Sequence, residues 1–94
     1  MRTAFYINLN VKTTAGYTLF GKYYLGSDRQ VANSVFAKLK GSNEVNESNV
    51  LQLDFIETVN GLPVNLQVLG CSLAQLSENC SIITREIFKM HNLK

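Results

Sequence analysis

Side chains that could perform acid–base, nucleophilic or metal chemistry are few in this chain and are not grouped. The single histidine, His91, has no cysteine or histidine at the spacing of a zinc site. Cys71 stands just before a predicted helix, where the pKa of a thiol can fall, but no general base accompanies it. Asp54 and Glu57 are separate carboxylates of one predicted strand. We therefore expect a non-catalytic protein without a cofactor; the alternative is an enzyme whose site is not visible in the sequence.

Binding through aromatic and cationic side chains has a clearer basis. Strand residues that point away from the predicted core would form one surface, which we call the open face of the sheet. Its predicted members are Tyr6, Asn8, Asn10, Lys12, Thr18, Phe20, Lys22, Tyr24, Gln52, Asp54, Ile56, Asn65, Gln67 and Leu69. A sheet face in contact with water is mostly polar. Three aromatic rings together with Ile56 and Leu69 therefore indicate contact with another molecule.

The candidate binding residues on this face are Tyr6, Lys12, Phe20, Lys22, Tyr24 and Ile56. Aromatic rings are enriched where proteins meet proteins, which favours self-association or a protein partner. Single-stranded nucleic acid, stacked on the rings with lysines at the phosphates, is an alternative, as is a small molecule. Nucleic acid is disfavoured because a pI near 8.6 is a weak basic footprint. The remaining interpretation is that the exposed rings only favour strand conformation.

The first half of this surface belongs to a predicted β-hairpin. Phe5, Ile7, Leu9 and Val11 alternate with more polar residues, the period of a strand with one buried face. The loop at 14–16 ends in glycine, which suits a three-residue hairpin turn. The predicted facing pairs are Val11 with Leu19, Leu9 with Gly21, Ile7 with Tyr23 and Phe5 with Leu25.

A second hairpin repeats this pattern 44 residues later, with Leu51, Leu53 and Phe55 in place of Ile7, Leu9 and Val11. Asn60-Gly61 is the preferred pair of a type I′ turn. The predicted facing pairs are Phe55 with Leu66 and Leu53 with Val68. Pro63 has no amide hydrogen, so its strand belongs at an edge of the sheet.

A helix that begins at a serine follows each hairpin. Ser27 with Gln30, and Ser72 with Gln75, have the spacing of a capping box. The first helix is predicted to end at Gly41 and to bury Val31, Ala32, Val35, Phe36 and Leu39. The second is predicted to bury Leu73, Leu76, Cys80, Ile83, Ile87 and Met90. Poor helix formers in 77–84 leave a break, or a start at Ser77, as an alternative.

These elements predict an α+β fold, a two-layer sandwich with order ββαββα and both helices on one face of a mainly antiparallel sheet. Strand order 2-1-3-4 is favoured because it places the Pro63 strand at an edge; order 1-2-4-3 ranks second. Ninety-four residues make a single domain, 1–94. Its two halves are about 1–41 and 48–94, and residues 4–40 and 48–91 are expected to superpose as hairpin–helix units.

The composition, 46% hydrophobic and 17% charged, is that of an ordinary globular protein rather than a disordered one. The sequence has no continuous apolar run of the kind found in signal peptides or membrane spans, so we expect a cytoplasmic protein without a membrane partner. Cys71 and Cys80 are expected to stay reduced, because a helix would hold them too far apart for a disulfide.

The net charge of +2 is unevenly distributed along the chain. Residues 1–41 contain six basic residues and one acidic residue, whereas residues 42–84 contain five acidic residues and no lysine or arginine. Such an asymmetry can orient partners or copies of the same chain. The alternative is that it reflects solvated faces without further purpose.

Overall fold

The computed structural model describes residues 3–42 and 51–92, without the side chains of residues 90–92. Its elements are β1 (Thr3–Thr13), β2 (Gly16–Gly26), α1 (Arg29–Ala37), β3 (Leu51–Val59), β4 (Leu62–Cys71) and α2 (Leu73–Asn92). The strands form one antiparallel sheet of order β2-β1-β3-β4. The predicted α+β class and strand order 2-1-3-4 are confirmed, and the alternative order 1-2-4-3 is wrong.

The two central strands pair around residues that are equivalent in the sequence repeat. Leu9 lies opposite Leu53, with Ile7–Phe55 and Val11–Leu51 two residues away on either side. Directly opposite residues point to the same side of a sheet, so this register gathers the apolar residues on one face. It is compatible with a two-fold relation between the halves, whose superposition stays a prediction.

The turn and edge predictions for the second hairpin agree with the structure. Asn60 and Gly61 have φ angles of 53° and 86°, the positive values that both central residues of a type I′ turn require. Pro63 lies in β4, an edge strand, where its missing amide hydrogen costs no ladder bond. Local turn chemistry therefore specifies this hairpin.

Two β-bulges alter the predicted register of the first hairpin. The ladder matches the prediction at Leu9–Gly21 and Ile7–Tyr23, but it shifts after Leu9 and again before Tyr6. Leu19 consequently faces Asn10, where the sequence predicted Val11, and Phe5 faces Gly26, where it predicted Leu25. A bulge adds one residue to one strand, which alternation and turn length do not reveal.

The second hairpin has one such irregularity, between Phe55 and Ile56. Phe55 lies opposite Gln67 and Leu53 opposite Leu69, so the predicted pairs with Leu66 and Val68 are wrong. Leu69 is buried in the core, and Val68 pairs instead with Asp54. The register shift thus exchanges the faces predicted for neighbouring residues of β4.

Helix α1 is capped by Asp28 rather than by the predicted Ser27. The Asp28 carboxylate accepts hydrogen bonds from the main-chain N–H groups of Gln30 (2.9 Å) and Val31 (3.3 Å). Aspartate satisfies these free donors as well as serine does, so either residue suited the sequence. The helix ends at Ala37, before the predicted stop at Gly41. Its buried residues are Ala32, Val35 and Phe36, all of them predicted.

Helix α2 begins with the predicted capping box. The Gln75 main-chain N–H donates to Ser72 Oγ (3.2 Å), and the Ser72 N–H donates to Gln75 Oε1 (2.9 Å). The helix is continuous from Leu73 to Asn92, so the alternative break or start at Ser77 is wrong. Leu73 is 75% exposed, contrary to the prediction, whereas Ile83 is fully buried. Leu76, Cys80 and Ile87 pack against the core as predicted, and the Met90 side chain lies outside the described residues.

The buried residues of both helices join the sheet in one apolar cluster. Phe36 of α1 stacks on Phe55 of β3 with ring centroids 4.9 Å apart, and Phe5 of β1 lies 6.0 Å from the same ring. Ile83 of α2 belongs to this cluster. Stacked and tilted aromatic pairs of this kind stabilise a core beyond the area that they bury.

A buried asparagine joins α2 to the chain that leaves α1. Asn79 is fully buried; its Nδ2 donates to the Lys40 carbonyl (2.8 Å), and its Oδ1 accepts from the Lys40 N–H (2.7 Å). Nearby at the surface, Lys38 donates to Glu86 at 2.9 Å. The sequence interpretation did not identify Asn79 as a structural residue.

Candidate functional site

The open face consists of three central rows that run across the strands. In the order β2, β1, β3, β4, the rows are Tyr24–Tyr6–Ile56–Asn65, then Lys22–Asn8–Asp54–Val68, then Leu19–Asn10–Gln52–Gly70. Because directly paired residues project to the same side, each row presents its side chains together. The structure therefore brings together four of the six predicted binding residues: Tyr6, Lys22, Tyr24 and Ile56.

The other two predicted binding residues lie nearer the first turn. Phe20 is the additional residue of a β2 bulge, and it is 52% exposed. Leu19, predicted in the core, is equally exposed because the bulge turns it toward Asn10. Lys12 pairs with Tyr17 at the end of the ladder. The bulge thus adds apolar surface to this end of the open face.

Three residues that the sequence placed on the open face belong to the opposite face of the sheet. Thr18 faces Val11, and Gln67 faces Phe55, which is a core residue. Leu69 is itself in the core. Each correction follows from a bulge, since one added residue reverses the side to which the next residues point.

Two tyrosines and a lysine form a cluster at one end of the open face. The rings of Tyr6 and Tyr24 have centroids 5.3 Å apart and are tilted by 48°. Lys22 Nζ lies 4.7 Å from the centroid of the Tyr6 ring. A cation over an exposed aromatic ring gains about 0.5–1 kcal/mol. This contact holds the Lys22 charge over the face.

A carboxylate with two amide donors occupies the middle of the same face. Asn10 Nδ2 donates to Asp54 Oδ2 and Gln52 Nε2 donates to Asp54 Oδ1, both at 2.8 Å. A carboxylate offers about four acceptor positions, so Asp54 has capacity for further donors. Between Asp54 and Lys22 lies Asn8, whose buried Oδ1 has no hydrogen-bond partner among the described residues. The sequence showed Asp54 as one exposed acid and did not indicate this arrangement.

The side chains considered for catalysis are not brought together. Burial raises the pKa of the Cys71 thiol, and the neighbouring Cys80 adds to the rise, so Cys71 is protonated at neutral pH. Glu57 is buried on the core side, where it accepts a hydrogen bond from Arg29 at 2.6 Å. Among residues 3–42 and 51–92, no group of His, Cys, Asp and Glu side chains could hold a metal ion. The side chain of His91 lies outside the described residues.

Shallow clefts lie beside the helices among the described residues. One is lined by Ala37, Lys38, Leu39, Lys40, Glu78, Ser81, Ile82 and Arg85. The other is lined by Cys80, Ser81, Thr84, Arg85 and Phe88.

Both cysteines are free thiols, as predicted. Burial and then a hydrogen bond with Cys80 raise the pKa of Tyr23, while a hydrogen bond with Thr84 opposes the rise.

Both edges of the sheet are obstructed against the addition of another strand. Edge strand β2 has two bulges. Edge strand β4 contains Pro63 and one bulge, and Ser42 pairs with Gly70 through two main-chain hydrogen bonds of 2.9 Å. Bulges, proline and covering segments are the devices that hinder edge-to-edge pairing.

Comparisons with known proteins found no matching family model, no similar curated protein and no similar solved structure. Within the part of the chain that the structure describes, neither helix is long and apolar enough to span a membrane.

Proposed function

We propose that this chain is a non-catalytic interaction module that self-associates through the open face of its sheet. The observation that supports this most directly is the amount of apolar side chain exposed there. Phe20 and Leu19 are each 52% exposed and Tyr24 is 51% exposed, next to half-buried Tyr6 and Ile56. A water-facing sheet surface is mostly polar, and aromatic residues are concentrated in interfaces.

The dimensions of the open face suit a specific interface. Four strands about 4.8 Å apart and nine paired residues of about 3.3 Å each give roughly 570 Å² in projection. Two such faces bury at least about 1,100 Å² together, since accessible area exceeds projected area. A biological interface is expected to bury more than about 1,000 Å² in total, so a second copy covers enough area.

Single-stranded nucleic acid is the second candidate ligand, supported by Lys22 over the Tyr6 ring. Asp54 in the middle of the face opposes it, because a carboxylate repels phosphate. The strands add only Lys12 and Lys22 to this face, so few counterions would be released on binding. A complex of this kind would be weak and would dissociate at about 200 mM salt.

The proposed setting of this module is the cytoplasm. Its two cysteines are both free, and free thiols persist where the environment is reducing.

The test is the oligomeric state of the wild type and of Phe20→Asp, measured by sedimentation equilibrium. Truncating an aromatic anchor of an interface costs about 2 kcal/mol or more, which weakens the dimer at least about thirtyfold. The matched control is Phe88→Asp, the same change at an exposed residue of α2. We expect a wild-type dimer, a folded Phe20→Asp monomer and a Phe88→Asp dimer.

A wild type that is monomeric at about 500 µM would overturn the proposal, because such weak binding is not a specific interface. A Phe20→Asp protein that remains a dimer would show that another surface is used. Circular dichroism establishes that the variant is folded. If Phe20→Asp unfolds, Tyr24→Asp, at a regularly paired position of β2, supplies the same test. A nucleic-acid complex that survives about 200 mM salt would favour the second candidate.

A further inference from the structure

We infer that the two copies stack about a two-fold axis parallel to the strands, so that Lys22 of one copy approaches Asp54 of the other. This inference rests on the proposed self-association and adds which residues of the second copy complete the site. It follows from the positions of charge on the open face and from the symmetry of stacked sheets.

The charge on the two hairpins differs in sign. The strands of the first hairpin contain Lys12 and Lys22 and no acidic residue, and those of the second contain Asp54 and Glu57 and no basic residue. On the open face, Lys22 and Asp54 share the middle row, with Asn8 between them. They are therefore two strand spacings apart, about 10 Å, within one copy. Neither is the ion-pair partner of the other in the described structure.

An axis parallel to the strands places opposite charges near each other. A two-fold rotation about this axis keeps each residue at the same position along the strand direction and reverses the order of the strands. Each row of one copy therefore faces the same row of the other copy with its residues in reverse order. Asn8 then lies over Asp54 of the second copy, and Lys22 lies over Val68 of the second copy. Measured in the plane of the sheet, Lys22 is one strand spacing (about 4.8 Å) from that Asp54. In the next row, Tyr6 lies over Ile56, which matches apolar with apolar.

An axis perpendicular to the strands gives the opposite result. It places β2 of one copy over β2 of the other and β3 over β3. The middle rows of the two copies then face each other with their residues in the same order. Lys22 then opposes Lys22 and Asp54 opposes Asp54, an arrangement that like-charge repulsion disfavours. Stacked sheets usually cross at an angle of about 30°, which shifts residues far from the centre of the interface more than those near it. Asn8 is the midpoint of β1, so the middle row is shifted least.

The unused bonding capacity of this row fits the first arrangement. Asp54 accepts from Asn10 and Gln52 within its own chain and retains further acceptor positions. Lys22 contacts the Tyr6 ring and has three N–H donors. A second copy in this orientation brings the remaining donors and acceptors together twice, once on each side of the axis.

Charge reversal distinguishes the two arrangements. With the axis parallel to the strands, Lys22→Glu and Asp54→Lys should each weaken self-association at least about tenfold, and a chain with both changes should recover to within about threefold of wild type. An equimolar mixture of the two single variants should also associate, since each chain restores the other's contact. Sedimentation equilibrium measures all four samples, and Phe88→Asp is again the neutral control.

The results separate failure of this inference from failure of the proposed function. A monomeric wild type overturns both. A wild-type dimer that Phe20→Asp dissociates, with dissociation constants unchanged by the single charge reversals, overturns only the orientation and points to the perpendicular axis. A double variant as weak as the singles also overturns it. Because Asp54→Lys breaks two internal hydrogen bonds, Val68→Lys is the second partner for Lys22→Glu, and the pair should likewise recover association.

Discussion

Replacing Asn79 by alanine tests the contact that joins α2 to the chain leaving α1. Asn79 is fully buried, and its amide both donates to and accepts from the main chain of Lys40 at 2.8 and 2.7 Å. Alanine removes both hydrogen bonds and leaves an N–H and a C=O of Lys40 without these partners. The matched control is Ser77→Ala, an exposed position in the same helix.

The expected loss can be worked out from these two bonds. Each hydrogen bond contributes about 1 kcal/mol net, and a buried group left without its partner costs about 1–3 kcal/mol. The higher helix propensity of alanine returns up to about 0.7 kcal/mol. We therefore expect the free energy of unfolding to fall by about 2–3 kcal/mol, which in a domain of this size lowers Tm by roughly 10–20 °C.

Urea denaturation followed by circular dichroism measures this loss. It is performed at one fixed protein concentration, since the proposed self-association would make apparent stability concentration-dependent. Ser77→Ala should stay within about 0.5 kcal/mol of wild type. Asn79→Asp keeps the acceptor but sets an oxygen against the Lys40 carbonyl, so it should cost at least as much as alanine. A loss below about 0.5 kcal/mol for Asn79→Ala would refute the reasoning, because the two bonds would then contribute nothing net.

Two further predictions concern other contacts of α1 and the chain that follows it. Gly41→Ala should destabilise the fold more than Gly61→Ala does, because its Cβ would lie 2.5 Å from the Gly70 carbonyl oxygen, whereas a Cβ at Gly61 meets no atom within 4 Å; equal urea midpoints would contradict this. The hydrogen bond from Lys38 lowers the pKa of Glu86, so its stabilising effect is present above the unfolded value near 4.5 and is lost as pH falls through the lower folded value. Wild type should therefore exceed Glu86→Gln in stability at neutral pH but not at about pH 2, and a difference that persists in acid would be inconsistent with it.

The obstructed edges of the sheet hinder the addition of strands from further copies. Two bulges in β2, and Pro63 with one bulge in β4, interrupt the regular ladder that a further strand would need. In the proposed dimer, stacking through the open face would close after two copies, because the face of each copy would then be covered. Addition of a strand at an edge leaves a new edge exposed and can therefore continue, so obstructed edges favour an assembly of limited size.

Most of the fold could be predicted because its determinants are local. Alternation identified the strands, Asn60-Gly61 specified a turn, and Pro63 required an edge, which together selected the strand order. The capping box of Ser72 and Gln75 is likewise a contact between residues three apart. Each of these features depends on neighbours in the chain, and the sequence contains them directly.

The candidate site could be predicted only in part. Tyr6, Lys22, Tyr24 and Ile56 share the open face because β1 and the regular parts of its partners keep strict alternation. Leu19 could not be predicted there, since the bulge beside it leaves the alternating pattern on either side intact. The Asn10 amide on Asp54 likewise could not be predicted, because Asn10 comes from the other hairpin.

The sequence by itself thus determined the elements, their order and the general position of an apolar surface, through turn residues, caps and periodicity. Only the tertiary structure decided which side Leu69 faces, that Leu73 stays exposed and that Asn79 is buried. The physical reason is the range of the interactions. A bulge is placed by the fit of an edge strand to the whole sheet and its helices, and a polar side chain is stable in the interior only where a distant main-chain partner, here Lys40, satisfies it.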